Sequence, residues 1–102
     1  MADNIVSMFK QRVLGILNSP EVRFILFGSR GRGEAEEYSD YDFLIITSKN
    51  ESNANEKIEE IETDIFINHS AIINSHLLSE DELKRFSFEP FVVNALTEGV
   101  AA

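Results

Sequence analysis

A chain of 102 residues, 43% hydrophobic and 26% charged, with five glycines and two prolines, reads as one small globular domain over 1–102 and excludes collagenous, repetitive and disordered classes. The lack of cysteine removes disulfides, Cys-ligated zinc, iron–sulfur clusters and thiol catalysis together. Eighteen acidic against nine basic residues give a formal charge of −9, which argues against general nucleic-acid binding, because a protein that neutralises phosphates is basic.

Ile5, Phe9, Val13, Ile16 and Leu17 recur at helical spacing and predict a first helix between Asp3 and Leu17. Asp3 or Asn4 can cap its start, and Asn18-Ser19-Pro20 ends it. The β-branched and aromatic run 22–27, closed by Gly28-Ser29, predicts a buried strand. A polar, Gly-rich stretch over 29–39 reads as a loop, 41–47 as a second strand, and 48–55 as another loop. Ile58, Ile61, Ile65 and Phe66 stand at i, i+3, i+7 and i+8, so the spacing predicts a helix over 55–68. The short piece 64–67 also alternates as a strand would, but the helical pattern is longer. That leaves 71–78 as the third strand. Ser79-Glu80-Asp81-Glu82 has the form of a capping box, and a last helix begins near Pro90 and stops at Gly99. The phenylalanines, among them Phe9, Phe24, Phe27, Phe43 and Phe66, read as core, and the acidic run from Glu56 to Glu62 as a solvated helix face. The order helix, strand, strand, helix, strand, helix, helix makes an α/β (α+β) fold on a small sheet. No apolar run approaches the roughly 20 residues of a membrane helix, and the start lacks a basic and apolar leader pattern. A cytoplasmic protein with no membrane partner is the expectation.

The chemistry concentrates in Phe27-Gly28-Ser29-Arg30-Gly31-Arg32-Gly33 and, after Ser39, Asp40-Tyr41-Asp42-Phe43. Glycine after a strand lets the backbone approach a ligand closely, and the amides there with the Ser29 hydroxyl can cradle phosphate oxygens. The planar forks of Arg30 and Arg32 suit phosphate, although they can equally offset the nearby Glu34, Glu36 and Glu37. Asp40 and Asp42, at i and i+2 on entry to a strand, share a face, and such oxygen ligands suit Mg²⁺ bridged to substrate phosphates. Taken singly, a Gly-Ser is a turn and an Asp-x-Asp a solvated loop; their joint order is the signal. His69 and His76 lack a second histidine or a carboxylate at helical i, i+4 spacing and read as surface or half-buried residues.

That ordered set resembles the polymerase-β-type nucleotidyltransferase superfamily, and within it the minimal nucleotidyltransferases that act as antitoxins beside HEPN-domain toxins. Their signature is Gly-Ser, ten residues, then Asp-x-Asp; here it is Gly28-Ser29, 30–39 and Asp40-Tyr41-Asp42. The resemblance covers most of the chain. It implies a small mixed three-stranded sheet with helices packed on one side, binding of Mg²⁺ and ATP, and transfer of AMP to a hydroxyl. It also implies that Asp40 and Asp42 hold the metal and that Gly28, Ser29 and Arg30, with Arg32 beside them, hold the triphosphate.

Active members of the family carry a third carboxylate on the third strand. A strand over 71–78 offers Asn74, Ser75 and His76 and no acid; a strand over 64–67 would offer Asp64 as the third catalytic acid. About 100 residues leave no room for a separate substrate domain, so the acceptor must bring its own scaffold. A tyrosine on a cognate, basic HEPN-type toxin meets that need, and the acidic surface complements it. The alternative is a binding module that neutralises a basic partner by occlusion, without chemistry. A homo-oligomer is left open.

Overall fold

The structure, a computed structural model, describes residues 4–34 and 40–102. In chain order these form α1 (Asn4–Leu14), β1 (Val22–Phe27), the single turn α2 (Gly28–Gly31), β2 (Tyr41–Thr47), a 3₁₀ turn (Ser52–Ala54), α3 (Asn55–His69), β3 (Ile73–Ser79), α4 (Glu80–Arg85), α5 (Pro90–Glu98) and β4 (Val100–Ala101). Asp3, one of the two caps expected for α1, lies outside the described residues, as do 35–39 of the Gly-rich stretch. α1 stops at Leu14, and Ile16 and Leu17 still pack on the core from the segment beyond it.

The sheet is mixed, in the order β3-β2-β1-β4. β1 pairs antiparallel with β2, in a register that sets Phe27 opposite Asp42. β2 pairs parallel with β3, setting Asp42 opposite Asn74. A parallel pair needs a long crossover, which α3 provides. The fourth strand is a correction to the expected three: Val100 and Ala101 pair with Leu26 and Ile25. Gly99 makes this possible, because a Cβ there would lie 2.3 Å from both Ala95 O and Ile25 Cγ2. The sequence offers no strand signal in a two-residue pairing.

The alternation of β2 sorts its side chains between two cores. Tyr41, Phe43 and Ile45 join Phe9 and Val13 of α1 and Ile58, Ile61 and Ile65 of α3. Phe43 is wholly buried, its ring 4.9 Å from that of Phe9. Leu44 and Ile46 face the other way, against Phe27, Leu78, and Val92 and Ala95 of α5. The main helical layer of α1 and α3 thus lies on one side, and α5 adds partial cover on the second, where the resemblance implied none. Phe66 is corrected too: it is 52% exposed, because a helix turns about 100° per residue and carries it off the stripe of Ile58, Ile61 and Ile65. Ser79 closes β3 and caps α4 with the expected reciprocal box, its Oγ accepting from Glu82 N and its N–H donating to the Glu82 carboxylate.

Candidate active site

Asp42 follows the first residue of β2, one strand away from Phe27 and therefore beside the β1–α2 turn. Gly28, which makes that turn, has φ +70°, in the region that disfavours residues with a Cβ. A Cβ on Gly28 would stand 2.4 Å from Asp42 Oδ2, so the missing side chain is what lets the turn close over the carboxylate. The Gly-rich stretch therefore begins as a helical turn rather than a loop, with Arg32 N bonded to Gly28 O and Glu34 N to Ser29 O. Ser29 sits in that turn, next to Gly28.

From the opposite side comes β3. Asn74 Nδ2 donates to Asp40 Oδ2 at 3.1 Å and to Asp42 Oδ1 at 3.3 Å. One amide thus bridges both aspartates, which confirms that they converge as their i, i+2 spacing implies. Two carboxylates on one face are hard oxygen donors, and with the open surface of Gly28 beside them they fit a divalent cation that retains some of its water. Among the described residues no three His, Cys, Asp or Glu side chains gather into a metal-binding group. The third strand contributes an amide at this corner, not an acid.

The remaining sequence candidates go elsewhere. Asp64 is a correction: it lies on α3, the helix that packs on the face away from Asp42, where its carboxylate accepts from Arg12 of α1 at 2.5 Å and from Asn68 at 3.0 Å. The hydrophobic period prevailed over the short alternation, so Asp64 is a partly exposed helix residue and does not join Asp40 and Asp42. Arg32 donates to Glu34 and, at 3.0 Å, to Glu98 at the end of α5; these two partners raise its pKa further above the ordinary arginine value. The Arg30 guanidinium lies 3.8 Å from the centre of the Tyr41 ring, a side chain of the α1/α3 core. The Arg32–Glu34 contact is the local offset that the sequence allows, whereas its bond to Glu98, 66 residues away, and the approach of Arg30 to Tyr41 are contacts that local sequence does not announce.

His76 stands two residues past Asn74, opposite Leu44, its ring stacked on Phe91 with centroids 4.0 Å apart. Desolvation lowers its pKa, and the charge of Asp42 works in the other direction. Glu62 breaks the solvated acidic run: its carboxylate accepts from Ser75 Oγ on the α3 side of the sheet, and burial raises its pKa against that bond.

A mixed sheet with a Gly-Ser turn closing on an Asp-x-Asp at the start of the neighbouring strand defines a nucleotidyltransferase. Residues 6–98 match the nucleotidyltransferase domain family, and the chain belongs to it. It is similar to a protein of Methanocaldococcus jannaschii that bears the name "Putative protein adenylyltransferase MJ1305", 29% identical over 100 residues that cover 95% of this chain and 68% of the relative. No helix among the described residues is long and apolar enough to cross a membrane.

Proposed function

We propose that the chain transfers AMP from ATP to a hydroxyl on a protein acceptor, with Asp40 and Asp42 holding Mg²⁺. The observation that carries this reading is the convergence of Gly28, Asp40 and Asp42, fixed by the Phe27–Asp42 register. Bound Mg²⁺ would offset phosphate charge and ease attack at the α-phosphorus. Gly28 and Ser29 supply backbone amides and a hydroxyl to the phosphates, and the side-chain-free surface of Gly28 admits them close to Asp42. Holding the triphosphate this way keeps pyrophosphate in line with the incoming oxygen.

A protein acceptor agrees with the name borne by the archaeal relative and with the net charge of −9, which favours a basic partner. The specific acceptor in this reading is a tyrosine of a HEPN-type toxin. Asn74 favours a second reading, in which the chain binds and occludes that partner without modifying it, since the third strand brings no acid to the aspartates.

The test is labelled ATP with Mg²⁺ and the candidate partner, using wild type and Asp40→Asn plus Asp42→Asn. Label should appear on the partner with wild type and fall about a thousandfold or more with the double variant. Transfer that survives the double substitution overturns the metal-site reading. A stable complex without transfer favours occlusion.

A further inference from the structure

We infer that Asn74 is a positioning residue: its amide is a neutral clamp that holds Asp40 and Asp42 together when no cation is bound and keeps the site at two negative charges. The inference rests on the proposed metal site and extends it to a residue on a third element. Its basis is geometric. Parallel pairing places Asn74 directly opposite Asp42, and one nitrogen, Nδ2, donates to both aspartates at 3.1 and 3.3 Å. An amide carries two N–H donors on that nitrogen, enough for one bond to each acceptor. Like-charged carboxylates brought to one place destabilise each other unless donors or a cation stand between them. Here the amide takes that place, and a cation would take over the same task.

The clamp therefore makes a prediction that a purely structural asparagine would not. In Asn74→Ala the metal-free protein loses this solvent-exposed bridge and should melt about 2–4 °C lower. Saturating Mn²⁺, used as the probe ion, should recover most of that loss, because the ion then holds the carboxylates. In Asn74→Asp a third anion joins the pair. Mn²⁺ should then bind about tenfold more tightly, an effect well within the attraction of one added charge a few ångströms from the ion. Metal-free Asn74→Asp should melt below wild type, for the same electrostatic reason.

The measurements are thermal melts with and without Mn²⁺ and a titration read from the paramagnetic resonance signal of the free ion. An Asn74→Ala loss that is equal with and without Mn²⁺ overturns the clamp, as does an unchanged metal-free melt. Unchanged Mn²⁺ affinity in Asn74→Asp overturns the charge-setting role. The double aspartate variant separates the two readings. If it binds Mn²⁺ as wild type does, the metal site of the proposed function falls, while the metal-free Asn74→Ala melt still decides whether the amide bridges the aspartates.

Discussion

The two ends of β2 both manage carboxylates, and they manage them in opposite ways. Past the Thr47 end, Glu51 is only 5% exposed, and its two oxygens collect the Asn18 amide at 2.6 Å, the Ser19 amide at 2.9 Å and the Ser19 hydroxyl. Burial alone would raise its pKa, but these donors and the charge of Lys49 outweigh it, and the net shift is downward. At the other end Asp40 and Asp42 share a single amide nitrogen, and the turn beside them is stripped of a side chain. A saturated carboxylate is a rivet; a pair with oxygen lone pairs to spare leaves acceptors open, which is what the proposed metal site requires.

The strongest way to break this contrast is Glu51→Ala. It leaves the Asn18 and Ser19 donors without their acceptor, at a cost of about 2–3 kcal/mol, and the melting temperature should fall by about 10 °C or more. Transfer per folded molecule should stay at the wild-type level below that temperature, as measured on the same preparation. Gly28→Ala addresses the opposite end. The positive φ and the approach to Asp42 should cost about 1–2 kcal/mol, and the variant should also lose part of the Mg²⁺-ATP-induced rise in melting temperature.

A pH series sharpens the comparison further. The Glu51 carboxyl has a lower pKa folded than unfolded, so its contribution is fully present above the unfolded value and is lost as pH falls through the folded one. Denaturant melts should show stability declining through that acid range in wild type and a shallower decline in Glu51→Gln. The smallest effect belongs to Asp64→Asn. Its pairing with Arg12 joins two side chains about half exposed, at 42% and 50%, so stability should change by less than about 1 kcal/mol. Transfer should not change at all, and a large loss of activity would return Asp64 to the site.

What the sequence made legible follows the range of the interactions. The Gly28-Ser29 turn, the shared face of Asp40 and Asp42, the Ser79 capping box and Pro90 at the start of α5 depend on neighbours a few residues apart, and each appears where local rules put it. The bridging by Asn74 depends on the β2–β3 register across 32 residues; the asparagine itself could be named from sequence, but not its partners. The Arg32–Glu98 pair and the pairing of β4 with β1 are longer still, and neither is announced by neighbours in the sequence. At Asp64 two short-range patterns compete: the helix predicted over 55–68 holds through the buried face of Ile58, Ile61 and Ile65, and the strand alternative that would make Asp64 the third acid falls away.

Ser79 is at once the last residue of β3 and the cap of α4, so the strand ends with no slack. Five residues back along the same strand stands Asn74, and strand side chains alternate from face to face. The stretch between them therefore works as a ruler with one permissible length. Adding or removing a single residue there would either turn residue 74 to the α3 side or pull Ser79 off the first turn of α4. Length drift during evolution should accordingly spare 74–79.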